Sequence, residues 1–148
     1  MKEIFSELFR NKIFMTTLSA WVFAQCLKVA IGVIREKRFD FRWLIGTGGM
    51  PSSHAAGASC LATTIGLECG FDSVYFALAA SFAIVVMFDA QGVRRASGKQ
   101  ARILNKVMDD IYWQGRIHEN RLRELIGHTP VEVIAGFFLG VLIALLAQ

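Results

Sequence analysis

Residues 13–34 read IFMTTLSAWVFAQCLKVAIGVI, a run with a single charged residue, Lys28. A helix needs about 20 mostly apolar residues to cross a bilayer, so this stretch suffices by itself. Outward from it the pattern recurs. Residues 43–67 (WLIGTGGMPSSHAAGASCLATTIGL) carry no formal charge, 74–90 reach Asp89 only near their end, and 131–147 hold only Glu132. The last two runs are short for a span and draw on flanking residues. The expected fold is all-α: a single membrane domain over 1–148, built as an integral membrane bundle of about four transmembrane helices. A soluble protein with four buried helices is the alternative that the same runs allow.

Composition agrees. Of 148 residues, 54% are hydrophobic and 19% charged, and the mean hydropathy is +0.45. That excludes a disordered chain and is unusual for a water-soluble domain. Cys26, Cys60 and Cys69 are odd in number and not at CxxC spacing, which argues against a disulfide scaffold and a zinc site. The first run is too long for a cleaved signal peptide and lacks its small-residue exit.

The net charge of +4 is distributed by loop. Arg35, Lys37, Arg38 and Arg42 fall between the first two runs. Arg94, Arg95, Lys99, Arg102, Lys106, Arg116, Arg121 and Arg123 fall between the last two. With four spans these loops share a face, against Lys2, Arg10 and Lys12 on the other. The positive-inside rule places both long loops in the cytoplasm and both termini outside, in a multi-pass protein of the cell membrane. Basic residues that flank spans and interleave with acids give no nucleic-acid surface. Residues 93–126 hold apolar positions at helical spacing (Ile103, Val107 and Ile111; Leu104, Met108 and Tyr112), which predicts a cytoplasmic amphipathic helical segment. It lies on the bilayer or against a partner subunit, so a homo-oligomer stays open. The first dozen residues, with Ile4, Phe5, Leu8 and Phe9 among charges, fit an interfacial helix.

Four places carry chemistry. Lys28 is a charge inside a span, which is costly and therefore a functional candidate, although a lysine near a helix end also snorkels to the interface. Arg35 follows two helical turns later on roughly the same face. Gly46-Thr47-Gly48-Gly49-Met50-Pro51-Ser52-Ser53-His54 reads as a tight loop opening onto a helix, capped by Ser52 or Ser53. Free N–H groups and the helix dipole favour an anion there. In His128-Thr129-Pro130-Val131-Glu132, Thr129 and Glu132 form a capping box and Pro130 takes the first helical position. His128 stands outside that explanation, as a solvated residue just before the cap. Both prolines thus mark the cytoplasmic start of a span, each with a histidine within three residues. Two imidazoles at one depth with Lys and Arg nearby suit phosphoryl transfer: one attacks phosphorus, the other protonates the leaving oxygen, and cations stabilise the oxygens. Finally, Asp89 precedes Arg94, Arg95 and Lys99, which fit either a phosphate clamp or a plain basic flank. His118, among Arg116, Glu119 and Asn120, reads as a solvated helix residue.

These residues resemble the type 2 phosphatidic acid phosphatase superfamily, which includes vanadium haloperoxidases and carries the motifs KxxxxxxRP, PSGH and SRxxxxxHxxxD. Lys28 and Arg35 have the first spacing, with Glu36 for the proline. Pro51-Ser52-Ser53-His54 matches the second, with Ser for Gly. His128 and Glu132 match the end of the third, with Glu for Asp, while Leu122 stands where its arginine falls. The segments GGMPSSHA, FDAQGVRRASGKQA and LIGHTPVEVIAGFFLG look like the divergent branch of that superfamily, over most of the chain.

The resemblance implies a membrane lipid phosphate phosphatase that works without a metal cofactor through a phosphohistidine. It implies His128 as nucleophile, Glu132 as its orienting partner and His54 as general acid. Lys28, Arg35 and the backbone of Ser52 and Ser53 would bind phosphate; beyond the resemblance, we assign the arginine missing from the third motif to Arg94 or Arg95. The substrate is then a phosphorylated lipid at the cytoplasmic membrane face. Two rival readings stand. Asp89 with Arg94-Arg95-x-x-Gly98-Lys99 has some likeness to the KRxxGxKD stretch of membrane cytidylyltransferases, a Mg²⁺-dependent lipid nucleotidyl- or phosphotransferase class in which Asp89 would hold the metal; Gln100 replaces its second aspartate. The other rival is a non-catalytic lipid-phosphate binder or transporter.

Overall fold

The computed structural model describes residues 2–37, 39, 49–112 and 128–148. Those residues form α1 (Lys2–Arg10), α2 (Lys12–Glu36), α3 (Ser53–Cys69), α4 (Val74–Gln91), α5 (Val93–Tyr112) and α6 (Pro130–Leu146), and no strand is found among them. The described fold is all-helical, as the sequence leads one to expect.

Local chemistry sets the helix starts. The Asn11 side chain accepts from the Phe14 N–H at 3.0 Å, Ser52 caps α3 through the Ala55 N–H, and Ser73 caps α4 through the Phe76 N–H. Each satisfies one of the four N–H groups that a helix start leaves over. The capping box at α6 is present in both directions: Glu132 N–H donates to Thr129 Oγ1, and Thr129 N–H donates to Glu132 Oε2. The run 43–67 contains α3, whose first residue is Ser53; just before it Gly49 has φ +87° and Ser52 is extended, and neither conformation continues a helix. Residues 43–48 of that span, and 113–126 of the amphipathic segment together with His118, lie outside the described residues.

α3 is the central helix, packed against α6, α4 and α2, with α2 also touching α6. What it buries is unusual for a soluble core. The fully enclosed side chains are mostly small: Ala20, Ala24, Ala55, Ala56, Cys60, Ala83, Ala90 and Ala144, with Ser52, Ser59 and Thr64 among them. The large apolar side chains point outward instead. Leu78, Phe82, Val85 and Phe88 on α4, and Ile134, Phe138, Leu142 and Leu145 on α6, are each at least half exposed. Small residues inside and large apolar ones outside is the packing of helices whose surroundings are hydrocarbon, where close backbone approach takes the place of the hydrophobic effect.

The α3–α6 seam shows how close that approach is. A Cβ on Gly136 would strike the Ser52 carbonyl oxygen, and one on Gly140 would strike the Ala56 carbonyl oxygen and the Ser59 hydroxyl. Ser59 Oγ donates across this seam to the Phe137 carbonyl at 3.0 Å. Towards α2, Cys60 Sγ reaches the Thr16 carbonyl at 3.6 Å, and Lys12 pairs with Glu68 at 2.7 Å where α2 starts and α3 ends. By length and composition, α2 and α4 are each long and apolar enough to cross a membrane, and α6 is a shorter apolar helix.

Candidate active site

The start of α3, the end of α4 and the start of α6 meet at one point. Two backbone hydrogen bonds join them. Ser52 N–H donates to the Glu132 carbonyl at 2.9 Å, and His128 N–H donates to the Ala90 carbonyl at 3.0 Å. Beneath these bonds Ala55, Ala90 and Val133, one from each helix, pack into a buried cluster. The two histidine motifs are therefore held by main chain and by a small apolar floor.

On this frame the His54 and His128 rings stand 6.1 Å apart, centroid to centroid, at 60° to each other. His128 is 1% exposed. This overturns its expected place as a solvated residue outside the core: the bond to Ala90, from a helix distant in sequence, draws it inside. His54 is partly exposed. His128 Nδ1 lies 3.2 Å from Glu132 Oε2, one helical turn on. A carboxylate only accepts, so Nδ1 carries the proton in this contact and Nε2 is directed to the other edge of the ring. Glu132 thus serves three partners: its Oε2 receives both the Thr129 N–H and His128, and its carbonyl receives Ser52.

Lys28 does not snorkel. It is buried, donates to Gln25 Oε1 at 3.0 Å, and is attracted by the charge of Glu132. Gly49 lies against its stem, with space for a Cβ only 3.3 Å from Lys28 Cγ. Lys28 therefore adjoins the turn before Ser52. Arg35 is exposed on the last turn of α2, and no contact joins it to the histidine pair among the described residues. Ser52 is engaged twice: its N–H donates to the Glu132 carbonyl and its hydroxyl accepts from the Ala55 N–H. Arg94, Arg95 and Lys99 are on α5, which follows α4 directly, and their side chains lie outside the description. Asp89 is half-buried beside Ala90; among the described residues no group of three or more His, Cys, Asp or Glu side chains converges as a metal site would require.

Three contributors were not singled out from the sequence. Gln25 holds Lys28, and its position three residues earlier on the same helical face was a usable signal. The Ala90 carbonyl that fixes His128 had none. Gly136, which lets α6 approach Ser52, could have been found from its spacing to Gly140.

Comparison with known proteins gives the family. The chain is 40% identical, over 94% of its length and 95% of the relative's, to the uncharacterized membrane protein YuiD of Bacillus subtilis (strain 168). No solved structure matches it. Residues 9–143, which include Lys28, Arg35, His54, Asp89, His128 and Glu132, match the family described as Divergent PAP2, and the chain belongs to that family.

Proposed function

We propose that this protein is a four-span membrane phosphatase that hydrolyses a phosphorylated lipid at the cytoplasmic leaflet through a phosphohistidine. The observation that carries the reading is the buried His128, held by Glu132 and facing His54 at 6.1 Å. Rings this close can both lie against one phosphate. The outward-facing Phe, Leu, Ile and Val side chains of α4 and α6 support the membrane reading.

His128 Nε2 attacks phosphorus while the bond from phosphorus to the lipid oxygen breaks. Protonated His54 gives its proton to that oxygen, so the lipid leaves as an alcohol. Glu132 keeps the proton of His128 on Nδ1 and stabilises the positive ring that forms. Lys28 and the first-turn N–H groups of α3 lie against the phosphoryl oxygens, where their charge and dipoles oppose the negative charge of the transition state. Arg35, Arg94 and Arg95 are the further cations assigned to the phosphate. In the second half, neutral His54 takes a proton from water, whose oxygen attacks phosphorus as the bond to Nε2 breaks. Inorganic phosphate leaves and both histidines are restored.

The test is phosphate release from lipid phosphates by purified protein, with His128→Ala beside wild type. Loss of turnover in His128→Ala and acid-labile, base-stable labelling of wild type by ³²P-lipid phosphate are expected. Full activity of His128→Ala, or no hydrolysis of any lipid phosphate by wild type, overturns the mechanism.

A further inference from the structure

α4 is long and apolar enough to cross a membrane, and Phe88 in its last turn is still 75% exposed. Its 18 residues rise about 27 Å, close to the roughly 30 Å of a hydrocarbon core. α5 follows with Gly92 alone between them. It therefore starts where the hydrocarbon ends.

The pattern changes at that point. Ala101 and Asn105, one turn apart on α5, are buried, while Ile103, Leu104 and Val107 are 63%, 51% and 44% exposed. The buried pair marks the face turned to the protein, and the three branched apolar side chains are turned away from it. Among the described helices α5 touches α4 alone, so none of them covers this stripe.

The sequence of α5 gives the chemistry of what does. Residues 93–106 include Arg94, Arg95, Lys99, Arg102 and Lys106 and no Asp or Glu. Lys99 stands four residues before Ile103, Arg102 immediately before Ile103, and Lys106 immediately before Val107, so basic positions border the apolar stripe along its length. A basic line beside an exposed apolar line is the pattern of a helix lying in an anionic lipid surface. A second copy of the same face fits worse, because it would set like charges against each other.

We infer that α5 is a surface helix that binds the anionic leaflet at which α4 ends, with Ile103, Leu104 and Val107 inserted below the phosphates and the basic positions level with them. The ligand is an anionic headgroup surface in general, not the lipid phosphate of the candidate site, so the inference stands or falls apart from the phosphatase reading.

The test uses the full chain with Cys26, Cys60 and Cys69 replaced and Leu104→Cys carrying an environment-sensitive fluorophore. It is reconstituted into vesicles of phosphatidylcholine alone, or of phosphatidylcholine and phosphatidylglycerol in equal parts. Phosphatidylglycerol is a phosphodiester that the proposed hydrolysis does not consume. Emission wavelength and quenching by neutral acrylamide report the ratio of inserted to exposed helix. Each basic residue near an anionic surface is worth about fivefold. The ratio should therefore be at least about tenfold higher with phosphatidylglycerol, and Arg102→Gln with Lys106→Gln should lower it there on the order of tenfold or more. Ile103→Ser with Val107→Ser should expose the probe in both compositions. About 1 M salt, which shortens the screening length to about 3 Å, should release the helix from the same vesicles without any variant. Equal insertion in the two compositions, or insertion in phosphatidylglycerol that neither salt nor the glutamine pair reduces, would overturn the inference. Protection that rises with the protein-to-lipid ratio would overturn it too, and would assign the stripe to a second copy.

Discussion

Replacing Gly136 by alanine touches no group that the mechanism uses, yet it should disable the site. The added Cβ would strike the Ser52 carbonyl oxygen and come within 3.0 Å of Ala55 Cβ. Carbon atoms pack comfortably at about 3.5–4.0 Å, so α6 must withdraw from α3 by something on the order of 1 Å. The bond from Ser52 N–H to the Glu132 carbonyl, now 2.9 Å, spans that seam and would stretch beyond useful hydrogen-bond length. Overpacking of this kind costs about 1–3 kcal/mol. Removing a helical glycine returns about 0.5–1 kcal/mol, so the net loss is about 0–2.5 kcal/mol. The catalytic effect is larger, because a misplacement of about 1 Å at a reacting centre can lower turnover on the order of a hundredfold. Thermal unfolding in detergent and phosphate release, measured on the same preparation, separate the two effects. Gly140→Ala is the control: its Cβ meets Ala56 and Ser59 one turn farther from the histidines, so it should lower stability comparably and activity less. A Gly136→Ala protein as stable and as active as wild type would show that the seam does not set the histidine geometry.

The remaining expectations follow from Glu132, Asp89 and the charge pattern. Glu132→Gln keeps an acceptor for the Thr129 N–H and should unfold within about 0.5 kcal/mol of wild type, but it removes the charge that supports the His128 ring and should slow turnover on the order of tenfold or more; Glu132→Ala should add about 1 kcal/mol of lost capping. Vanadate, which adopts the five-coordinate shape of the transition state, should inhibit wild type competitively in the release assay. EDTA should leave lipid phosphate hydrolysis intact; a strict Mg²⁺ requirement, abolished together with activity by Asp89→Asn, would move the assignment to the transferase class. A cysteine at Lys106, in a protein with Cys26, Cys60 and Cys69 replaced, should react with impermeant maleimide only after cells are opened; reaction in intact cells would reverse the topology.

The parts of this molecule that the sequence discloses are those fixed by local rules. The apolar runs mark α2, α4 and α6 closely, because a helix in hydrocarbon must be apolar along its whole length. The Thr129–Glu132 capping box and the Ser52 cap are written in residues three apart. The second run is read less well, since hydropathy averages over Gly49 and Pro51, while backbone conformation decides where α3 starts. The burial of His128 is invisible locally: it depends on a carbonyl of α4, and no property of residue 90 except its backbone takes part. Averages of hydropathy also do not say which face of a span is turned inward. That information is in residue size, in Gly136, Gly140 and Ala144 on α6 and in Ala55, Ala56 and Ser59 on α3.

That last point links the fold to its chemistry. In a water-soluble enzyme, a histidine as enclosed as His128 would be held by bulky side chains packed around it. Here its partners are the Ala90 carbonyl, Glu132 and the His54 ring, beside a cluster of Ala55, Ala90 and Val133. Small side chains bring three helix ends close enough for their backbones to bond directly, and backbone groups have fewer torsions to fix than long side chains do. A site assembled this way can sit at the edge of the bundle while its large apolar residues remain outside. The same choice of residue size therefore holds the two imidazoles in register and turns the large apolar side chains outward.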